Sequence, residues 1–272
     1  MLKETCRACK GTGWTLVRRE VNGAGRATAG MFAVPCDCVA GDRAARQMQR
    51  ARIPRRYEHC DFESFVTELA DGARYTPEAV RSLQQAKLIT QGFARDYPAG
   101  TDTGLLLMGS AGVGKTHLAV AALRELVRRG HAGLFCDYRD MLKQIQDSYN
   151  SESQVTEMGI LEPVLKAEVV LLDDLGASKP SAWVLDTLGH ILNTRYNERR
   201  VTLLTTNYLD AAAAPSEPVR LPSRQVVPAR EDTLADRIGQ RMRSRLYEMC
   251  RTLEVFAPDF RREVRQAGRA PS

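Results

Sequence analysis

The most restrictive feature of this 272-residue sequence is the segment Gly109–Thr116, which reads GSAGVGKT and matches the pattern GxxxxGK[ST]. An apolar run, Leu105–Met108, comes directly before it, and a segment of helical periodicity follows. Glycines let the backbone curl around phosphate oxygens, and the helix turns its positive end towards them. We predict that Lys115 contacts the β- and γ-phosphates of a nucleotide and that Thr116 offers its hydroxyl to Mg²⁺. A chance glycine-rich turn would not also place a strand before it and a helix after it.

Short apolar runs recur after this segment, as in a parallel sheet covered by helices on both faces. We read strands at 105–108, 133–136, 169–172 and 201–205, and helices at about 116–129, 139–149 and 181–197. We also expect a basic helix at 42–52, which stops before Pro54, and an irregular loop at the proline-containing stretch 211–228. The third strand delivers Asp173 and Asp174 to the carboxyl edge of the sheet, where open α/β sheets bind ligands. We predict that Asp173 holds Mg²⁺ and that Asp174 orients or deprotonates a water molecule. Without the phosphate motif, a solvated acidic turn would be the better interpretation.

Polar residues further along the chain leave alternatives open. Asn207 follows the fourth strand and could hydrogen-bond a γ-phosphate or the attacking water, or it could cap a turn. Arg237, Arg241 and Arg245 repeat every four residues and are expected to share one helical face. An arginine there could reach the γ-phosphate on a neighbouring subunit. A solvated basic face or contact with DNA phosphates explains the same row.

Four of the seven cysteines form two close pairs, Cys6 with Cys9 and Cys36 with Cys38. Two such pairs can supply the four sulfur ligands of a tetrahedral Zn²⁺ site. A redox pair or buried structural thiols are the alternatives, but a β-hairpin this small has too little apolar surface to fold without a metal. We therefore predict a small zinc-ribbon-like module that precedes the main domain.

The charge of the chain is concentrated in its first part. Residues 1–56 contain twelve Lys and Arg against four Asp and Glu, within a net charge of +6 for the whole chain. The segment 42–56 is the more credible contact for nucleic-acid phosphates, because four thiolates on zinc would offset the charge of the module itself. No apolar stretch approaches the roughly 20 residues that a membrane span needs, and residues 1–10 lack the apolar segment of a secretory signal. We expect a cytoplasmic protein without membrane contact.

The assembled motifs resemble those of the AAA+ ATPases in the DnaC/DnaI helicase-loader and IstB transposition-helper group. The resemblance covers about residues 53–262 and rests on IPRRY at 53–57, GSAGVGKTHLA, VVLLDDLG, the strand ending TTN and RIGQRMRSRL. It implies an α/β P-loop AAA+ domain whose parallel sheet is flanked by helices. Taken with the cysteine pairs and the basic segment, it gives the expected boundaries 1–41 for the zinc module, 42–100 for a basic helix and connector, 101–262 for the ATPase domain and 263–272 for a tail.

The resemblance also implies roles for individual residues. Asn207 would be sensor 1, Arg241 the arginine finger with Arg237 and Arg245 as alternatives, and Arg261 the sensor 2 arginine. The catalytic set is then Asp174, Asn207 and Arg241. The nucleotide-binding set is Gly109, Ser110, Ala111, Gly112, Val113, Gly114, Lys115, Thr116, His117, Asp173 and Arg261. Many AAA+ proteins carry Asp-Glu where this chain has Asp173-Asp174, so we expect slow, partner-dependent ATP hydrolysis.

The function that these expectations favour is a loader of a DnaB-type replicative helicase. ATP would hold an oligomer that grips single-stranded DNA, and hydrolysis would release it. An IstB-like helper of a transposase is the alternative within the same fold. A P-loop kinase for small molecules is a further alternative, but the arginine row and Asn207 argue against it. The last alternative is a DNA-binding scaffold whose ATP site is purely structural. DNA would not stimulate the ATPase activity of such a scaffold.

Overall fold

The computed structural model describes residues 6–23, 26–68, 75–99, 104–150, 155–210 and 232–262. Strands β1 (Trp14–Gly23) and β2 (Arg26–Pro35) form the antiparallel hairpin that the sequence predicts between the cysteine pairs. Helix α1 (Asp37–Arg50) follows directly, then a short 3-10 turn (Arg55–Tyr57) and helix α2 (Pro77–Asp96).

The rest of the described chain alternates strands and helices. These are β3 (Gly104–Met108), α3 (Lys115–Arg128), β4 (Gly133–Asp137), α4 (Tyr138–Ser148), α5 (Glu157–Lys166), β5 (Val169–Asp173), α6 (Ala182–Asn197), β6 (Val201–Thr206), α7 (Leu234–Ile238), α8 (Gln240–Met249) and β7 (Cys250–Glu254). The last five strands form one parallel sheet in the order β4-β5-β6-β3-β7. The predicted parallel sheet flanked by helices is confirmed.

Both faces of this sheet are buried, which explains why its inner strands are continuous apolar runs. Successive side chains of a strand point to opposite faces. Leu105 and Leu107 accordingly pack in the cluster that contains α2 and α3, whereas Leu106 and Met108 pack in the cluster that contains α4, α5, α6 and α8. The phosphate motif thus begins at the end of a strand that is fixed from both sides.

The segment at 53–68, before α2, belongs to this core. Cys60, Phe62 and Phe65 are buried in the cluster around α2 and α3. The carbonyl oxygen of Ala51 accepts a hydrogen bond of 2.7 Å from the amide of Phe135, which lies on the edge strand β4. Residues 51–65 are therefore packed against the parallel sheet and its helices.

Several predicted boundaries were wrong or incomplete. The predicted basic helix at 42–52 begins earlier, at Asp37, and ends at Arg50, so that Cys38 lies in its first turn. The arginine row does not lie on one continuous helix, because Gly239 at φ 81° and ψ 148° separates α7 from α8. Helices α2 and α5 and strand β7 were not predicted. The predicted irregular loop at 211–228 and the tail at 263–272 lie outside the described residues.

Arg195 of α6 is fully buried and ties the sheet to its helices. Its guanidinium donates to the carbonyl oxygens of Val164 (2.8 Å), Ala167 (2.9 Å) and Val201 (2.5 Å), and to the Thr202 hydroxyl (2.9 Å). Burial is the main reason that the pKa of Arg195 is lowered to about 10. The side chain joins the end of α5 to the start of β6 at the amino-terminal edge of the sheet.

We predict that Arg195→Met lowers the free energy of unfolding by about 3 kcal/mol or more, because it leaves several buried acceptors without a donor. Urea unfolding followed by circular dichroism measures the change. Arg81→Met on the exposed face of α2 is the matched control and should change the free energy by less than about 0.5 kcal/mol. A variant at Arg195 as stable as this control would contradict the prediction.

Candidate nucleotide site

The predicted phosphate motif forms the loop between β3 and α3. Gly112 and Gly114 have φ angles of 81° and 97°, which residues other than glycine rarely adopt. A Cβ atom on Gly112 would overlap the Asp259 carboxylate, and one on Gly114 would lie 2.5 Å from Cε2 of Phe65. The two glycines therefore allow the loop to take its curled backbone conformation and allow neighbouring segments to pack closely against it.

Lys115 opens α3 with its ammonium group inside the site. The side chain is buried, and its Nζ donates to the carbonyl oxygens of Gly109 (2.9 Å) and Ser110 (2.7 Å) and to Oδ1 of Asn207 (2.8 Å). Burial lowers the pKa of Lys115 to about 8, against the opposing effect of the two nearby Asp carboxylates. An ammonium group can make three such bonds, so it must exchange at least one of them to contact a phosphate oxygen.

Thr116 and Asp173 meet beside Lys115, as predicted for a magnesium site. The Thr116 hydroxyl donates to Oδ1 of Asp173 at 2.8 Å, and the Thr205 hydroxyl donates to the same oxygen at 2.6 Å. Asp173 is buried, and this burial raises its pKa despite both hydrogen bonds. A hydroxyl beside a carboxylate is an oxygen donor set that suits Mg²⁺.

Asp174 and Asn207 form the second half of the site. Nδ2 of Asn207 donates to Oδ1 of Asp174 at 2.7 Å, while its Oδ1 accepts from Lys115. The backbone amide of Asp174 donates to the Thr205 hydroxyl at 2.9 Å, and the residue has a φ of 58°. Burial, followed by the charge of Asp137, raises the pKa of Asp174. Asn207 thus connects the lysine predicted to bind phosphate to the carboxylate predicted to act on water.

Three neighbours of the loop were not predicted as part of the site. Thr205 bridges the two aspartates through one hydroxyl, Phe65 lies against Gly114, and Asp259 lies against Gly112. The position of Thr205 at the end of β6, one residue before the strand ends, was a usable signal. Phe65 and Asp259 gave none, because they reach the loop from distant parts of the sequence.

Arg261 and His117, the other two residues predicted to contact the nucleotide, both lie near the loop, and Arg261 is the more exposed of the two. Arg261 is exposed, and its charge lies close enough to depress the pKa of Lys115 further. Its backbone amide donates to Oδ1 of Asp259 at 2.9 Å. The side chain of His117 is turned to a different neighbour, since its Nε2 contacts the carbonyl oxygen of Asp61 at 2.8 Å.

The three arginines predicted as one row have separate surroundings. Arg237 is buried, donates to the carbonyl oxygens of Gly176 and Ser178 (both 2.8 Å), and lies 4.8 Å from the ring centroid of Tyr208. These contacts hold the Arg237 side chain within its own chain, where it stabilises the fold. Arg245 lies over the ring of Tyr196 at 5.0 Å. The side chain of Arg241 is exposed, and its guanidinium forms no hydrogen bond or ion pair with any residue in the described part of the chain.

The four cysteines of the module converge. Cys6 and Cys36 have their sulfur atoms 3.7 Å apart, and those of Cys9 and Cys38 are 3.5 Å apart. Ligands at about 2.3 Å from a tetrahedral zinc ion are separated by roughly 3.8 Å, so these distances fit Zn²⁺. Hydrogen bonding by the Cys9 amide lowers the pKa of Cys6 to about 6, whereas the hydrogen bond with Cys9 raises the pKa of Cys38, so the four thiols do not ionise alike.

Comparisons with known proteins agree with this geometry. A family model described as "IstB-like ATP binding protein" matches residues 41–211, which is more than half of the chain. The chain belongs to the IstB-like ATP-binding family. The predicted binding of ATP and the predicted AAA+ fold are thereby confirmed.

Relatives of this IstB-like chain include named helicase loaders. The replicative helicase loader DnaC of Escherichia coli (strain K12) is 24% identical over 162 residues, which are 60% of this chain and 61% of that protein. The match thus spans only about three fifths of the length of that loader. The phage-like element PBSX protein XkdC of Bacillus subtilis (strain 168) is 27% identical over 213 residues, covering 74% of this chain and 71% of XkdC.

A solved structure supports the same relationship. The crystal structure of the DnaC helicase loader has a TM-score of 0.56 and 28% identity to this IstB-like chain, and the match covers 75% of this chain and all of that one (100%). Among the described residues, no helix combines the length and the apolar character needed to cross a membrane.

We predict that Lys115→Ala weakens the binding of Mg²⁺-ATP by about 10- to 100-fold or more, because it removes a charge-assisted hydrogen bond worth about 1.5–3 kcal/mol. Isothermal titration calorimetry on the full chain measures the affinity. Lys179→Ala removes an exposed lysine and is the matched control, which should bind as the unmodified protein does. Equal affinity in the two variants would contradict the assignment of Lys115.

Proposed function

We propose that the chain is a nucleotide-controlled loader of a DnaB-type replicative helicase that also contacts single-stranded DNA. It would act in the cytoplasm as an ATP-dependent homo-oligomer. The observation that carries this proposal is the pairing of a complete P-loop site with similarity to the DnaC helicase loader, in sequence and over the full length of its solved structure. The finer steps below rest on the contacts of individual side chains.

In the proposed nucleotide site, one group of residues binds the phosphates and Mg²⁺, and Asp174 positions the attacking water. The amides of residues 109–115 and the Lys115 ammonium hold the β- and γ-phosphates. Thr116 and Asp173 hold Mg²⁺, which when bound neutralises charge between those phosphates. Asp174 positions the attacking water from the opposite side. Its carboxylate is one methylene shorter than that of a glutamate and can position water less well, so we expect slow hydrolysis that depends on a partner.

Asn207 is proposed as the residue that reports the state of the nucleotide. Its amide now links Lys115 to Asp174. When the lysine turns from the carbonyl oxygens of Gly109 and Ser110 to the phosphates, the geometry of its bond with Asn207 changes. The carbonyl oxygen of Leu209, two residues after Asn207, accepts a hydrogen bond of 2.8 Å from the amide of Leu234 in α7, which offers a route from Asn207 towards α8 and Arg241.

Arg241 is proposed as the arginine finger. It is exposed, without a partner among the described residues, whereas Arg237 is held by its own chain and Arg245 lies over Tyr196. A long cation that its own chain does not engage is suited to reach a phosphate on a neighbouring subunit.

The proposed contacts with DNA and helicase lie nearer the start of the chain. The exposed arginines there are Arg46, Arg50, Arg52, Arg55 and Arg56. They lie on or just after α1, whose first turn contains Cys38. We assign the arginines to DNA phosphates and the zinc module to the helicase. The module would take Zn²⁺ on Cys6, Cys9, Cys36 and Cys38.

A second candidate is an IstB-like helper of a transposase, and the match to the IstB-like family favours it. The same nucleotide site would serve this function, so the two candidates differ in the partner protein. A transposase gene beside this one, together with a complex between the two proteins, would support the helper over the loader.

We predict that the full chain forms a stable complex with the cognate replicative helicase in the presence of Mg²⁺-ATP, and that Lys115→Ala weakens this complex at least about tenfold. Co-purification followed by light scattering measures it, with Lys179→Ala as the control. No complex with the helicase at any nucleotide condition would refute the loader, and capture of a transposase in its place would favour the helper.

We also predict that Arg241→Ala lowers DNA-stimulated ATP hydrolysis by about a thousandfold while nucleotide binding remains, because an arginine finger acts on the transition state. Mixing Arg241→Ala with Lys115→Ala should restore part of the activity, since the second variant supplies Arg241 to the nucleotide bound by the first. Arg81→Ala is the control. Failure of the mixture to exceed either variant alone would contradict a finger that acts between subunits.

A further inference from the structure

Beside the nucleotide loop, His59, Cys60 and His117 bring nitrogen and sulfur donors together. One donor atom from each side chain lies within 4.8 Å of the other two. Sγ of Cys60 is 3.9 Å from Nε2 of His59, and the ring centroids of the two histidines are 6.0 Å apart. The proposed loading function uses none of these three side chains.

The backbone at His59 and Cys60 is held by hydrogen bonds from two residues, Arg124 and Ser64, that would not bind the metal themselves. The guanidinium of Arg124 donates to the carbonyl oxygens of Glu58 and Cys60, the latter at 2.8 Å. The Ser64 hydroxyl donates to the carbonyl oxygen of His59 at 2.8 Å. Cys60 is buried and His59 is exposed, so an ion can enter from the side of His59.

His117 reaches the cluster from the first turn of α3. Its Nε2 contacts the carbonyl oxygen of Asp61 at 2.8 Å, and its ring meets that of Phe65 edge-on with centroids 5.3 Å apart. A histidine that binds a metal usually donates its other ring nitrogen to such a carbonyl, so with Nε2 held by Asp61 the nitrogen offered to an ion is Nδ1 of His117.

We propose that His59, Cys60 and His117 form a second metal site that takes Zn²⁺ or a similar borderline transition-metal ion, with water as the fourth ligand. Imidazole and thiolate donors select such ions over Mg²⁺ and Ca²⁺, which prefer oxygen. Bond lengths of about 2.0–2.1 Å to nitrogen and 2.3 Å to sulfur place tetrahedral donors roughly 3.3–3.8 Å apart. Donors that lie within 4.8 Å of one another must therefore close by up to roughly 1.5 Å, and the exposed His59 side chain has the room to turn towards the other two.

The position of this site gives it a structural consequence. His117 follows the phosphate-binding residues Lys115 and Thr116, and Phe65 lies against Gly114 of the loop. A metal ion held by His117 and by the segment at 59–60 ties that segment to the first turn of α3. It joins two parts of the chain that lie more than 50 residues apart in the sequence.

The test counts metal ions on the full chain. Protein stripped with a chelator is dialysed against buffered Zn²⁺, and bound zinc is measured by mass spectrometry. We expect two equivalents in the unmodified protein, one at the four cysteines of the module and one at the new site. His59→Ala, Cys60→Ala and His117→Ala should each lose one equivalent, and His59→Ala is the decisive variant because an exposed side chain is not needed for folding.

Matched controls separate the two sites. Cys9→Ser should lose the equivalent of the module and keep the other, while His190→Ala and Cys136→Ala should keep both, since these residues lie outside either cluster. With Co²⁺ in place of Zn²⁺, the equivalent that survives Cys9→Ser should show the visible spectrum of a mixed nitrogen and sulfur site. An unmodified protein that binds one equivalent, or a second equivalent that survives His59→Ala and Cys60→Ala, would overturn the proposal. None of these readouts depends on helicase or ATP.

Discussion

The interaction on which the site depends is the chain of hydrogen bonds from Lys115 through Asn207 to Asp174. It exists because β3, β5 and β6 are neighbours in a parallel sheet, so that their carboxyl ends deliver a lysine, two aspartates and an amide to one edge. The ammonium group is buried at the start of α3, and burial depresses its pKa. A phosphate would replace backbone carbonyls as its partner and would restore the balance of charge.

The site is held from outside the sheet as well. The segment at 53–68 places Phe65 on one glycine of the loop, and the segment after β7 places Asp259 on another. The amide of Phe260 also donates to the carbonyl oxygen of Gly112 at 3.1 Å. Movements of the nucleotide loop are therefore coupled to both flanking segments, one of which carries the proposed second metal site and the other Arg261.

Features that depend on neighbouring residues in the sequence could be predicted, whereas features that depend on contacts between distant residues could not. The phosphate loop and four strands were predicted because their signals are local. Helix α5 was not predicted, since Pro163 inside it argues against a helix, and the edge strand β7 mixes polar and apolar residues. Gly239 interrupts an arginine spacing that looked continuous. The cluster of His59, Cys60 and His117 depends on tertiary packing, which spacing alone does not reveal.

The most direct test of the central claim is a crystal structure of the full chain with Mg²⁺ and a non-hydrolysable ATP analogue. The account predicts that Nζ of Lys115 leaves the carbonyl oxygens of Gly109 and Ser110 for the β- and γ-phosphates, with Mg²⁺ held by Thr116 and Asp173. Nucleotide bound elsewhere, or a Lys115 that keeps its present partners while the nucleotide is bound, would contradict it.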